Sequence, residues 1–397
     1  MRKLLDYLYL RDVGLLELTF ALTPMLSGYS FLGFPLSLGM WLILLFVVFL
    51  RQKRIRLKNF MPFTLFVVYW LLKQFIVVLF DDVNFFGFVQ QIILFLSLYA
   101  LYPFLKREKL RGALNWIMLI SIIGLISQWI EIAQGVGVHP IKIPGFSLPD
   151  NRIEDSFRPS SFFMEPAAYV AYAICPLTFA LIDRKWIWAA IIIISTFLTT
   201  STTGLLLSFA MLITSLFGNR FNVKSSIMVL VLMGGLFYSL THFEIFESGI
   251  NKLETIDTEG NIRLRQGPNI VSTMHTEEYF MGVNYSTPYN YCNSGRISDV
   301  AVYGKEEVYM STFWYLILLY GVAGLLLYTN VYFSLLKRNR KVLPLVAALF
   351  ATLFSSSYVI GNIYIFTLIL LLVMTENNEL DTLCKKRSGG MRIIDSK

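Results

Sequence analysis

Apolar runs about as long as a bilayer is thick recur from end to end of this chain, and nothing else constrains its folding as strongly. Each helical residue advances only about 1.5 Å along the axis, so a crossing of the hydrocarbon core takes roughly 20 predominantly apolar residues. Twelve segments approach that length, at about 12–29, 33–50, 61–80, 87–105, 113–134, 164–182, 186–200, 203–218, 225–241, 309–335, 343–357 and 360–375. With 56% hydrophobic and 15% charged residues among 397, and a mean hydropathy of +0.61, too little polar surface is left to coat a water-soluble domain. The chain therefore reads as an all-α polytopic membrane protein of about twelve transmembrane helices, a single integral membrane domain over residues 1–397. The first apolar segment has no small-residue cleavage site and runs straight on to another, so it is expected to stay as a span. Cys175, Cys292 and Cys384 fall in a span, a polar loop and the basic tail, an arrangement that predicts no structural disulfide.

Basic residues orient the spans. Arg2, Lys3 and Arg11, the cluster from Arg51 to Lys58, the cluster from Lys106 to Arg111, Arg184 with Lys185, Arg220 with Lys224, the cluster from Lys337 to Lys341 and the tail over 376–397 hold 25 of the 34 Lys and Arg. These segments alternate with the spans so that all face one side, which the excess of cations makes cytoplasmic, together with both termini. The net charge of +8 thus reflects topology and contact with anionic lipid, and nucleic acid is not an expected partner.

Apart from Lys73 inside the third span, the remaining cations fall in two enlarged outer loops, at 135–161 and 242–308. The first holds Lys142, Arg152 and Arg158 among four prolines and three glycines, too many breakers for a regular element. It ends in Arg158-Pro-Ser-Ser-Phe-Phe-Met-Glu165-Pro166, where Pro166 suits the first turn of a helix, because its missing N–H would be unsatisfied there anyway. Arg158 and Glu165 then flank a helix N-terminus, a place that favours anions. Two readings follow: a structural ion pair pinning loop to helix, or a site in which Arg158 holds an anionic group of a substrate and Glu165 orients it or acts as a base.

The second loop carries ten acids beside Lys252, Arg263, Arg265, Arg296 and Lys305, so bulk attraction of anions does not explain its cations. Arg263 and Arg265 alternate in Asn-Ile-Arg-Leu-Arg, and in an extended segment both would leave the same side, as a diphosphate clamp or as a solvated, ion-paired strand. Its tyrosines suit either sugar stacking or a small core under the loop. His275 is a candidate base, although a lone histidine is more often structural. Lys73 either snorkels to the interface or faces a polar cavity. The Ser/Thr run from Ser195 to Thr203, closed by Gly204, either caps helices or lines the same cavity. No His set or acid pair in the outer loops has metal-ligand spacing, so no metal and no cofactor are expected.

Twelve spans with two enlarged outer loops, together with the stretch 158–166, resemble the Wzy-type polymerases of O-antigen, capsular polysaccharide and exopolysaccharide synthesis, in the superfamily shared with the O-antigen ligases. Ser201 to Gly204, Phe280-Met-Gly282-Val and the run from Tyr315 to Gly324 are similar to shorter landmarks of that family. The resemblance implies a GT-C-like membrane fold. It also implies transfer of a growing glycan from undecaprenyl diphosphate to the next lipid-linked repeat unit, with a chain-length regulator protein as a partner. Arg158, and then Arg263, Arg265 and Arg296, would hold the lipid diphosphate, and Glu165 or His275 would take the acceptor proton. Two departures stand out: Thr202 where the family often has a basic residue, and no histidine in Gly304 to Ser311, which favours polymerase over ligase. A flippase or other transporter is the rival class, although no internal repeat relates the two halves of the chain.

Overall fold

The computed structural model describes residues 6–51, 60–136, 138–148, 158–218, 227–235, 262–294, 308, 310–355 and 361–389. The described chain is overwhelmingly helical. Helices α1 (Leu15–Leu22), α2 (Leu36–Arg51), α3 (Met61–Val78), α4 (Phe85–Leu101) and α5 (Arg107–Ala133) precede the first large loop. After it come α6 (Pro166–Ile182), α7 (Trp186–Leu198), α8 (Thr202–Gly218) and α9 (227–235). The second large loop contributes the short helices α10 (Ile262–Val271), α11 (Thr276–Met281) and α12 (Pro288–Asn293). Helices α13 (Thr312–Arg338), α14 (Leu343–Ser355) and α15 (Asn362–Gly389) complete the fold.

Each expected span holds a helix, but their lengths differ. Among the described residues, α3, α5 and α13 alone are long and apolar enough to cross a membrane, and the other apolar helices are shorter. The first expected span, 12–29, is cut at Pro24, which cannot continue a helix, and finishes as a 3₁₀ turn over Met25–Gly28. A two-residue hairpin, Ser30–Phe31 paired with Phe34–Pro35, then reverses the chain through Leu32 and Gly33, both at positive φ.

One contiguous cluster of buried side chains runs from Leu8 to Met374, and α6 lies at its centre. Every residue of α6 from Ala168 to Leu181 is buried, as expected of a helix apolar on all faces and ringed by others. The first turns of α15 are buried too, with Phe366 stacked between Phe20 and Tyr172 at ring distances of 4.6 and 5.9 Å. Outer helices instead expose large apolar residues such as Phe46, Phe49, Phe75 and Ile194, the surface a hydrocarbon solvent would cover. At one end of the bundle Arg111 pairs with Asp183 at 2.7 Å, its guanidinium lies 3.3 Å from the Tyr9 ring centre, and Lys185 sits over Tyr7. Three of the basic segments assigned to a common side therefore do meet.

Candidate functional site

Helix α13 is interrupted at Gly321. There φ is 64° and ψ is −178°, a region open essentially to glycine alone, so the helical ladder breaks in the middle of an apolar span. Freed backbone groups at such a depth need protein partners. The large outer loop brings them. After α11, Gly282 takes up the same glycine-only conformation, with φ 79° and ψ 163°, and its backbone lies directly on that of Gly321. A Cβ on Gly282 would overlap the Leu319 carbonyl, and one on Gly321 would overlap the Phe280 carbonyl. The Val283 N–H donates to the Leu318 carbonyl at 2.8 Å, so the loop replaces part of the lost ladder.

Helix α3 closes the other side of this junction. Tyr69 and Lys73 stand one turn apart on it, on one face. The Tyr69 hydroxyl donates to the Tyr320 carbonyl at 2.7 Å and lies 3.2 Å from the Met281 carbonyl. The Lys73 ammonium donates to the Gly282 carbonyl at 2.8 Å and to Asn284 Oδ1 at 3.0 Å. Lys73 is only 5% exposed, and the Glu278 carboxylate lies within electrostatic reach of it. The snorkelling alternative is therefore set aside: the head group is bound by protein oxygens, which compensate its loss of water. Gly324, one turn beyond the break, leaves room for the Tyr69 ring, which a Cβ there would approach to 3.1 Å.

Just past α3, Asp81 fastens the next stretch of the loop. Its Oδ2 accepts from the Ser286 N–H at 2.7 Å, the Ser286 hydroxyl at 2.8 Å and the Asn290 amide at 2.9 Å. Partial burial works to raise this carboxyl, but the bonds from Ser286 and Asn290 outweigh it and hold the group below its ordinary value. A depressed folded value means that the contribution to stability is full above the ordinary aspartate value, about 3.9, and is lost as pH falls through the lower, folded value. Protection factors of residues 284–290, taken relative to intrinsic exchange at each pH, are accordingly expected to fall on acidification below that range, and Asp81→Asn is expected to abolish this acid dependence.

The first loop is anchored separately. Gln128 on α5 is fully buried; its Oε1 accepts from the Ser160 and Ser161 N–H groups at 3.0 and 2.8 Å, and its Nε2 donates to the His139 carbonyl at 2.9 Å. Tyr29 donates to the Ile141 carbonyl at 2.6 Å, and Ser30 exchanges backbone bonds with Ser147 at 2.9 Å. The described parts of 135–161 contain no helix, as the breakers predict. Ser161 turns the chain at φ 56°, packed against Gly124, and its buried hydroxyl has no hydrogen-bond partner. Phe163 fills the space beside Tyr169 and Tyr172, with ring centres 5.4 and 5.3 Å away. The charged ends of the motif behave differently: Arg158 and Glu165 are both exposed. Glu165 is the N-cap residue of α6, Pro166 is its first residue as expected, and the Glu165 carbonyl accepts the Ala168 N–H at 3.0 Å. Among the described residues no ion pair joins Arg158 to Glu165, so the structural ion-pair reading is not realised.

The remaining candidates divide. Arg263 and Arg265 lie on α10, not in an extended segment, and positions two apart on a helix do not share a face; this corrects the proposed same-side clamp. Their side chains, and the whole of Arg296, lie outside the described residues. His275 is exposed at the N-cap position of α11, its N–H donating to Glu278 at 2.9 Å. The Ser/Thr run serves the helices: Ser195, Thr196 and Thr199 each donate to a carbonyl three residues back, and Gly204 packs on Val170 of α6. Cys175 and Cys292 are free and buried, and burial pushes the Cys292 thiol up to about 11. Among the described residues no group of His, Cys, Asp and Glu is placed to hold a metal.

Sequence reasoning singled out Lys73, Gly282 and Gly321 but not that they meet, and it missed Tyr69, Asp81, Gln128 and Asn284 altogether. A signal existed for Gln128 and Tyr69, since polar atoms within apolar helices are rarely idle. Compared with known proteins, the chain matches no family model, no curated protein and no solved structure.

Proposed function

We propose that this protein is a polysaccharide polymerase. It transfers a growing glycan from undecaprenyl diphosphate to the non-reducing end of a lipid-linked repeat unit, at the outer face of a bacterial cytoplasmic membrane. In this reading the chain crosses about twelve times, both termini are cytoplasmic, and the shorter helices complete the bundle. The observation that carries the proposal is the behaviour of residues 158–166: Ser160, Ser161 and Phe163 are buried and fixed, whereas Arg158 and Glu165 stand exposed at the start of α6. A rigid turn that offers a guanidinium and a carboxylate at a helix N-terminus suits a diphosphate ester whose sugar is about to leave.

The chemistry asks little beyond this. An acceptor hydroxyl attacks the anomeric carbon, the bond from that carbon to the diphosphate oxygen breaks, and the electron pair leaves with the lipid diphosphate. Arg158 stabilises the charge developing on the leaving group, and Glu165 takes the hydroxyl proton. No nucleotide sugar is consumed, because the sugar–diphosphate bond is already activated.

The interruption of α13 favours a second reading, since transporters commonly bind their substrates at discontinuous helices. One experiment separates the two. Purified protein in liposomes, given one lipid-linked repeat unit and neither nucleotide sugar nor membrane gradient, is expected to make a ladder of longer glycans. Glu165→Gln is expected to slow the ladder about a hundred- to ten-thousand-fold, the usual worth of general-base help. Movement of the unit across the bilayer with no ladder would replace the polymerase by a flippase.

A further inference from the structure

We propose that Lys73 is a positioning residue: its ammonium is a tethered cation that latches the large outer loop into the break of α13, and it is not a ligand for the substrate diphosphate. The inference rests on the geometry of the junction and stands whether or not the polymerase reading holds. An ammonium has three N–H donors and no acceptor. Two of the three are spent on the Gly282 carbonyl and Asn284 Oδ1, and both oxygens belong to the loop. Lys73 itself belongs to α3, and the break belongs to α13. The lysine therefore ties α3 to the loop at the break itself, beside the bonds of Tyr69 and Val283 and ahead of those that Asp81 makes further along the loop.

The junction that the latch holds is closely packed. Gly282 and Gly321 both adopt a conformation open essentially to glycine, and a Cβ on either would run into facing main chain, that of Leu319 and Tyr320 for Gly282 and that of Phe280 and Gly282 for Gly321. Undocked, the Gly282 carbonyl would return to water; docked, it is buried and needs a donor at that depth. A neutral donor would satisfy the carbonyl, but a charge-assisted bond is about twice as strong. Asn284 marks where the latch meets water: its residue is exposed, while the lysine it grips is not.

The test reads loop docking directly. In full-length protein in nanodiscs, hydrogen exchange of the peptide containing Val283, whose N–H is bonded to Leu318, is compared between wild type and Lys73→Met. Loss of the charged bonds is expected to raise the exchange rate there about ten- to a hundred-fold, while peptides of α6 keep their protection. Lys73→Ala is expected to regain protection with added methylammonium and not with tetramethylammonium, because only the former donates hydrogen bonds; a side chain that merely fills space would not respond in this way. Lys73→Arg should restore docking only in part, since a planar fork does not reproduce a point charge. Should Lys73→Met fail to assemble, Asn284→Ala leaves α3 intact and is expected to produce a smaller rise at the same peptide. Unchanged exchange in Lys73→Met or, failing its assembly, in Asn284→Ala overturns the latch, as does equal rescue by both ammonium ions. The glycan ladder is scored separately, so a failed polymerase reading and a failed latch are distinguishable.

Discussion

Arg158→Ala is expected to abolish polymer, leaving single lipid-linked units, with a rate loss of at least about a hundred-fold, the scale for removing one preorganised donor to a developing anion. The protein should nevertheless fold as before. Arg158 is exposed, whereas its neighbours Pro159, Ser160 and Ser161 are buried and Gln128 holds the backbone of both serines. A surface substitution away from such anchors changes stability by no more than about 0.5 kcal/mol. Glycan length on a gel and thermal unfolding of the same preparation check both halves. Arg158→Lys is expected to recover little, because a single ammonium cannot replace a two-pronged contact to phosphate oxygens. Wild-type chain lengths from a stable lysine variant would show that charge alone suffices.

The second large effect falls on the two glycines that touch. Gly282→Ala and Gly321→Ala each force a Cβ into a backbone carbonyl and place alanine in a conformation it essentially never adopts. Strain of this kind costs roughly 1–3 kcal/mol before any overlap is counted. The overlap is with main chain, which cannot swing aside. Either variant is expected to lose the docked loop and much of its yield in detergent. Gly145→Ala is the control: it also has positive φ, but its Cβ would meet nothing within 4 Å, so only the local conformational penalty applies. A thermal shift as small for Gly321→Ala as for Gly145→Ala would contradict the close contact.

The layout of helices was largely legible in the sequence because one signal, sustained apolarity, fixes both where a segment lies and what covers it. Pro166 and the irregular first loop were legible for equally local reasons. The junction was not, because the meaning of Gly321 depends on Gly282, and the meaning of Lys73 on an oxygen 209 residues away. Residues 262–271 misled for the opposite reason. Gly267 and Pro268 argue locally against a helix, yet α10 forms, with Gly267 pressed against Trp314 of α13 and Ile270 fully buried. Packing across elements overrode propensity, and with it went the same-side placement of Arg263 and Arg265. At Arg158 and Glu165 the sequence left open an ion pair or a binding site, and among the described residues the pair is not formed.

The sequence separation of 209 residues between Lys73 and its acceptor also has a consequence in time. A ribosome adding about 5–20 residues per second takes roughly 10–40 s to make the intervening chain. Throughout that interval α3 carries an ammonium whose eventual partners do not yet exist. A lysine near the end of an isolated span is relieved by stretching toward the headgroups. Such stretching takes only a change of side-chain rotamers, so Lys73 can exchange the headgroups for Gly282 and Asn284 when they arrive, and docking of the loop is a late step of synthesis.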